Sequence, residues 1–549
     1  MNYRSLQYGA LIFLFSMSTH GESSDREWRI PSTDAPLGIA GTRQTVTSKQ
    51  LTTGVSYYQI KRGEIDPSAF WTVNMGFFPT YAAAKLESDN LLRFAVAPRI
   101  DPSAGKKLGG SVLGYWLSVG KYISRVDASD AAAHVAAVSG GMYKPIVRNT
   151  ALGGYPTRGP WVINVLAIRP SETTSELAIV PAGQDNLGAD GETVSVAAAR
   201  LGALAATNGS FFSNINPFHA PLPPRSPLGA TVINGNLIAT AAGGRPGVII
   251  EKTNNGHQTV RILRKLTTYV TVSDQNNDGA EIEAIDRPIL GTVVNCGVPA
   301  GSPDIRPEHD SVCKNDNDLV MYDGLYHRGA SSNAQVDPHY RGSSYELLVD
   351  RSGTVTKGQD SLGLAPPPGG YVLQGLGKSA VWLRAHSAQG TKLRVARRLF
   401  ADGVEVGLHS GMSVLEGGPL LSDSNLTGAA DQEGFGPRSN GFDGGDANGS
   451  VPNNWYNGWF VSRNARTALG ITEGGTVLIV EIDGRQPTLS LGASIPETAA
   501  VMRWLGATSA INLDGGGSSN MVVNGISVGH PSDVQGERGV GDLLMILPK

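Results

Sequence analysis

The stretch Asp514-Gly515-Gly516-Gly517-Ser518-Ser519 stands directly behind an apolar run, Ser509 to Leu513. A carboxylate at the end of a strand, followed by three glycines, is held on one side while the backbone on the other can approach a ligand closely. Successive N–H groups in such a turn can also form an anion nest suited to phosphate oxygens. An Asp-Gly turn is the commoner origin of the dipeptide, but three glycines and two serines exceed what a turn requires. A second segment of the same kind, Asn208-Gly209-Ser210-Phe211-Phe212, follows the short apolar run Ala203 to Thr207. Two charged groups head further polar stretches, Arg466-Thr467-Ala468-Leu469-Gly470 and Asp483-Gly484-Arg485-Gln486.

The elements needed to position these groups are legible around them. Thr193 to Leu201 reads as a helix closed by Gly202, and Ala203 to Thr207 as a buried strand. Ser494 and Glu497 form a capping box that opens a helix running to Leu505, Gly506 ends it, and Ser509 to Leu513 is the strand that follows. Two helix-Gly-Ala-strand units thus each deliver a polar residue and a glycine turn at the carboxyl end of a strand, where open α/β sheets place ligand sites. If the two strands are neighbours, Asn208 and Asp514 converge. Strands are also expected over Gly54 to Ile60 and Trp161 to Ile168.

Taken with Gly417-Gly418-Pro419 and with Pro531-Ser532-Asp533 ahead of Glu537-Arg538, this motif set resembles the phosphodiester glycosidase family. In order, the motifs cover residues 159 to 549, and the strand near residue 54 is the natural first piece of the same domain. Two departures stand out: Glu416 precedes the Gly-Gly-Pro where the family more often has Gly, and residues 423 to 460 are longer than expected. The resemblance implies hydrolysis of the glycosidic bond in sugar-1-phosphate diesters, N-acetylglucosamine-1-phosphodiesters and related phosphoglycans among them; no cofactor is expected, and no residue is singled out as a metal ligand.

The roles follow chemically. A phosphodiester needs a cation, and Arg466 offers a planar fork that matches phosphate oxygens, a structural ion pair being the alternative. Glycosidic cleavage passes through an oxocarbenium-like state and usually employs two carboxyl groups, so Asp514 and Asp483 are the first candidates for nucleophile or base. Because a phosphomonoester leaves easily, a strong general acid is dispensable. Asn208 reads either as a donor to a sugar hydroxyl or as a turn former. Gly209, Gly515, Gly516, Gly517, Ser518, Ser519 and Asp533 complete the expected substrate contacts. Trp455, with Tyr456, Trp459 and Phe460, either stacks on a sugar ring or packs a long loop.

Between the first strand and residue 153 the sequence repeats itself. Trp71 to Phe78 is echoed by Tyr115 to Tyr122, and Thr80 or Ser124 then sits where a helix N-cap belongs, ahead of an Ala-rich stretch. With closing strands over Leu91 to Ala97 and Met142 to Val147, the whole is a βαββαβ unit. This pattern resembles the SPOR domain, which binds peptidoglycan glycan strands lacking stem peptides; a ferredoxin-like spacer is the alternative. The expected organisation is therefore α+β: a signal peptide over 1–21, an amino-terminal segment over 22–63, the SPOR-like insertion over 64–152, and the rest of a large mixed-sheet domain with helices over 153–549. On this reading the insertion can be excised without loss of activity on a small substrate.

Bulk properties set the outer limits. A chain of 549 residues exceeds one ordinary core, so two or three domains are expected. With 45 basic against 48 acidic residues and no long Lys/Arg stripe, the electrostatic footprint of a nucleic-acid binder is missing. The 70 glycines lack a collagen period and point to turns and β-structure. Arg4, the apolar run Tyr8 to Met17 and the small residues after it read as a leader too short to cross a bilayer, placing the protein in the cell envelope or outside. Cys296 and Cys313, if exported, form one loop-stapling disulfide; two thiols are the alternative.

Three tempting motifs fail. Gly375 to Ser379 lacks the leading glycine of a phosphate loop, since Val372 stands there. Gly525-Ile526-Ser527-Val528-Gly529 fits a nucleophile elbow but follows an Asn-Gly hairpin signal, which weakens any protease or esterase reading. Asp274 to Gly279 begins like a calcium loop, yet Ile285 occupies the position of the closing glutamate, and a hairpin turn fits better. A non-catalytic glycan-binding protein remains the main rival to an enzyme.

Overall fold

The computed structural model describes residues 28–183, 192–212, 227–287, 289, 291–294, 296, 311–324, 342–437 and 454–549. The expected leader, 1–21, lies outside the described residues. Among them the architecture is α+β and mostly β, and no helix is long and apolar enough to cross a membrane.

Everything is organised around a six-stranded sheet whose order is Gln44–Thr52, Val55–Arg62, Trp161–Ile168, Val477–Ile482, Arg466–Thr472 and Ala507–Asn512, antiparallel at every pairing. Trp161–Ile168 is buried at all positions because the sheet is covered on both faces. Period-two alternation separates the two sides: Ile163, Val165 and Ala167 face one core with helix Ile495–Trp504, while Leu166 and Ile168 face another. The second core is shared with a five-stranded sheet of order Ile526–Ser527, Met521–Val523, Ala205–Asn208, Asp542–Leu547 and Glu176–Pro181. The strands carrying Asn208 and leading to Asp514 therefore belong to different, antiparallel sheets, not to neighbouring places in one open α/β sheet. Their ends meet where the two sheets converge.

Both helices of these units end as their sequences dictate. Thr193 accepts from the Val196 amide, and Gly202 takes the left-handed conformation at φ 61°. Ser494 and Glu497 exchange the reciprocal capping-box bonds. Among the described residues the region between, from Thr231 to Glu416, builds four further sheets, with a separate core containing Val270, Met321, Leu347 and Leu399. Its disulfide joins Cys296 and Cys313.

The βαββαβ unit has the sheet order Pro98–Pro102, Tyr115–Tyr122, Trp71–Phe78, Ile146–Asn149, all antiparallel, with helices Tyr81–Leu92 and Arg125–Val138 capped by Thr80 and Ser124. The closing strands differ from expectation. Leu91 belongs to the last turn of the first helix, where it is buried in the unit's own core, so the strand starts only at Pro98. The final strand likewise begins at Ile146, not at Met142. The sheet face away from the helices is not exposed throughout: Phe77, Leu113 and Trp116 join the same buried cluster as Trp161, Tyr456 and Phe460. Ser103 also hydrogen-bonds Asn457 across the seam. The unit is thus packed into the main core, not tethered beside it.

Candidate functional site

The Asp514 loop is anchored from below by amides and hydroxyls. Asn512 donates from its carboxamide to the carbonyls of Gly418 and Leu513, at 2.9 and 2.7 Å. The Asp514 amide donates to the Gly209 carbonyl at 3.0 Å, and the Asn208 carboxamide donates to the Asp514 carbonyl at 2.8 Å. Asn208 is fully buried, and its oxygen accepts from the Thr467 hydroxyl at 2.7 Å. Its role is to hold the backbone of Asp514; the group expected to meet a sugar hydroxyl is committed inside the protein. The convergence of Asn208 with Asp514 is real, though it comes from two sheets.

The glycine run behaves differently from a nest. The amides of Gly516, Ser518 and Ser519 donate to the carbonyls of Ala465, Gly515 and Gly516, and the Gly515 amide donates to the Asp514 carboxylate at 2.8 Å. Ser518 and Ser519 are buried. What the glycines provide is room. A Cβ on Gly516, at φ +62°, would stand 2.7 Å from a terminal nitrogen of Arg485. One on Gly517 would fall 2.2 Å from the Asp533 carboxylate and 2.3 Å from the Arg538 guanidinium. Arg538 in turn donates from Nε to Asp533 at 2.8 Å.

Burial raises the Asp514 carboxyl to about 6, against the opposing pull of Ser518, the Gly515 amide, Arg538 and Arg485. Its neighbour carboxyl is Asp542, which burial likewise raises to about 6, with the charge of Asp514 adding to the shift. Asp542 accepts from the amide and hydroxyl of Ser210 at 2.6 and 2.5 Å. Gly209 permits this approach, since a Cβ there would lie 2.2 Å from an Asp542 oxygen.

Asp483 is placed in another setting. It is fully buried, and both carboxylate oxygens are held by His530, one by the backbone amide and one by ring Nδ1, each at 2.6 Å. The hydrogen bond to Asp483 raises the pKa of His530, whose side chain is 48% exposed. Glu481, two residues before it on the same strand face, is driven well up by burial and by the charge of Asp483. Asp483 therefore orients a histidine, and Asp542 is the carboxyl that shares the surroundings of Asp514.

Arg466 is almost completely buried. Its Nε donates to the Ala493 carbonyl at 2.8 Å, a terminal nitrogen donates to the carbonyls of Trp459 and Ser462, and its plane lies 5.2 Å from the Trp459 ring centroid. Burial, then the charge of Arg485, lowers its pKa to about 9. The second guanidinium of the group is that of Arg485, an exposed residue on a backbone of φ 59° whose head is held at Nε by Asn464 at 2.9 Å and whose pKa burial lowers.

The aromatic stretch splits between its two readings. Trp455 stacks on Trp459 at 5.0 Å, and Trp459 on Phe435 at 5.1 Å, forming a partly exposed column against Arg466. Tyr456 and Phe460 stack at 4.7 Å inside the core and pack the loop.

Arg485, Arg538, Asp542 and His530 have no role in the sequence expectations. Arg485 and Arg538 were inside quoted motifs; Asp542 and His530 carried no local signal. The rejected motifs resolve as hairpins or helix starts: Ser527 lies in a two-residue strand behind Asn524 and Gly525, both at positive φ, and Asp274 accepts the amides of Asn276 and Asp278 in a hairpin turn. Gly377 opens a helix, with the Lys378 amide donating to Asn317. A cavity of about 670 Å³ lies between Thr240–Gly244 and the disulfide, and none of the motif residues is among those lining it. The site is located by convergent charge, not by volume. Among the described residues no group of three or more His, Cys, Asp or Glu side chains is arranged to hold a metal.

Residues 345–547, which carry Arg466, Asp483, Arg485, Asp514, Asp533, Arg538 and Asp542, match the model of the phosphodiester glycosidase family. The N-acetylglucosamine-1-phosphodiester alpha-N-acetylglucosaminidases of Mus musculus and Homo sapiens are 40% and 39% identical to the chain over 70 residues. The match spans 13% of this chain and 13% of each of those proteins. A solved structure from Burkholderia pseudomallei K96243, described only as an exported protein, is 54% identical, with a TM-score of 0.89 over 95% of this chain and 100% of that one. The chain thus belongs to one family with that exported protein along nearly its whole length, and its residues 345–547 are similar to the phosphodiester glycosidase family.

Proposed function

We propose that the protein is an extracytoplasmic hydrolase that cleaves the glycosidic bond of sugar-1-phosphate diesters. The observation that carries this reading is the approach of the Arg485 and Arg538 guanidinium groups to Gly516 and Gly517, the glycines that follow Asp514, a carboxyl raised by burial to about 6, all within the residues similar to the phosphodiester glycosidase family. In the reaction the bond between the anomeric carbon and the phosphate oxygen breaks. The electron pair leaves with the phosphomonoester, and the oxygen of water ends on the sugar. Arg485 and Arg538 hold the phosphate, Asp514 meets the anomeric centre as nucleophile or base, and the Trp455–Trp459 column offers a face to the sugar ring. Arg466 supports that column from behind, and Asp483 fixes His530.

The βαββαβ unit, with its ferredoxin-like strand order, supports a SPOR-like reading in which the enzyme is directed to peptidoglycan glycan strands. The description of the similar Burkholderia protein as exported and the leader-like amino terminus support an envelope location.

The test is release of free sugar from UDP-N-acetylglucosamine and from a methyl phosphodiester of N-acetylglucosamine-1-phosphate. Asp514→Asn is expected to lower turnover by about a hundredfold or more with a melting temperature within a few degrees of the parent. No release from any sugar-1-phosphodiester would leave the non-catalytic glycan-binding reading in its place.

A further inference from the structure

A second charged site lies in the βαββαβ unit, away from the motif residues. Arg148, on strand Ile146–Asn149, lays its guanidinium 4.3 Å from the Trp116 ring centroid. Its Nε is buried without a partner, and among the described residues no hydrogen bond or ion pair reaches the group. Two other arginines are engaged by contrast: Arg463 pairs with Glu497 at 2.6 Å, and Arg466 donates to carbonyls. An Nε sealed from solvent without an acceptor, on a side chain that is otherwise half-buried, is unfavourable unless something else supplies that acceptor.

The space in front of it is a cavity of about 330 Å³ lined by Arg99, Asp101, Lys121, Phe70 and Trp116 as well as Arg148. Arg99 and Lys121 both lie against the Phe70 ring, at 5.3 and 5.1 Å. The single carboxylate, Asp101, is already held by Arg99 at 2.7 and 2.9 Å. Three cations against one committed carboxylate leave an excess of positive charge beside aromatic surface, in a volume typical of small-molecule sites.

We infer that this cavity binds an oxyanion, a phosphate monoester or a carboxylate, carried on a small ring-bearing molecule. The fork of Arg148 receives the oxyanion, Lys121 adds charge at the rim, and the Phe70 and Trp116 edges receive the body of the ligand.

Isothermal titration of the full chain with glucose 6-phosphate, glucuronate and glucose tests this. At least one anion is expected to bind with a Kd below ~1 mM and glucose not to bind; which anion binds decides between phosphate and carboxylate. Lys121→Glu, at an exposed position, should weaken binding at least tenfold, and Arg148→Gln should abolish it. Arg485→Ala should leave this binding within twofold, so the result does not depend on the proposed glycosidase activity. Equal binding of glucose, no binding of either anion at ten times that concentration, or loss on Arg485→Ala but not on Lys121→Glu would each overturn the inference.

Discussion

Arg466→Lys separates a residue that grips the phosphate from one that grips the protein. The guanidinium bridges two chain segments, donating to Ala493 on one side and to Trp459 and Ser462 on the other, while stacking on the Trp459 ring. An ammonium keeps the charge but cannot reach both segments at once or stack as a plane. Hydrogen bonds from charged groups contribute about 1.5–3 kcal/mol each, so losing the bridge to one segment should cost about 3 kcal/mol of stability. That is roughly a hundredfold in the unfolding constant. Tryptophan fluorescence in a urea titration reads this as a lowered midpoint with unchanged slope. The catalytic loss should then be similar for a sugar-1-phosphodiester and for a neutral nitrophenyl glycoside, because the displaced Trp459 wall serves both. Arg485→Ala should behave oppositely: near-parental stability, with kcat/KM on the phosphodiester falling by about 2 kcal/mol and little change on the neutral substrate. If Arg466→Lys keeps its urea midpoint and selectively loses the phosphodiester, Arg466 itself contacts phosphate and the assignment to Arg485 is wrong.

Three further outcomes follow from single contacts. Gly517→Ala places a methyl 2.2 Å from the Asp533 carboxylate, so it should split the Arg538–Asp533 pair and lower kcat/KM at least tenfold; parental kinetics would show that the pair has no part in the site. Glu416, buried beneath the Gly-Gly-Pro turn and accepting the amides of Ala230 and Ala242, has its carboxyl raised by burial to about 8. Its stabilising contribution is complete below its ordinary value near 4.5 and is lost as pH rises through 8, so thermal scans should show stability falling across that window and a flatter profile in Glu416→Gln; equal slopes would refute this. Replacing residues 64–152 by a Gly/Ser linker removes Phe77, Leu113 and Trp116 from the core they share with Trp161 and Phe460. Calorimetry should find a large drop in melting temperature, contrary to the expectation for a tethered insertion; a melt within a few degrees of the parent would restore that expectation.

Much of the local structure was legible because it is governed by local rules. The capping box at Ser494, the Thr193 and Gly202 boundaries, the caps at Thr80 and Ser124 and the hairpins at Asn524 and Asp274 depend on residues within a few positions of one another. The motif set carrying Asp514, Arg466 and Asp483 was also legible, because each piece is contiguous. Depth and partnership were not. An arginine suited to phosphate and one bridging backbone carbonyls have the same local sequence; only the packing of Trp459 and Ala493 around Arg466 buries it, while Arg485, on a left-handed turn, brings another guanidinium beside the glycine run. Asp483 and Asp514 look alike as Asp-Gly pairs, yet His530, 47 residues further along, claims the first, and Asp542 arrives beside the second on a strand of another sheet. The closing strand of the βαββαβ unit was misread because the apolar Leu91 suits a strand or a buried helix turn equally, and the core beneath it chose the helix. Sequence determines which groups are available; the meeting of two sheets, separated along the chain by hundreds of residues, decides which of them are desolvated, paired or left facing a substrate, because burial and Coulomb interactions depend on distances in space and not along the chain.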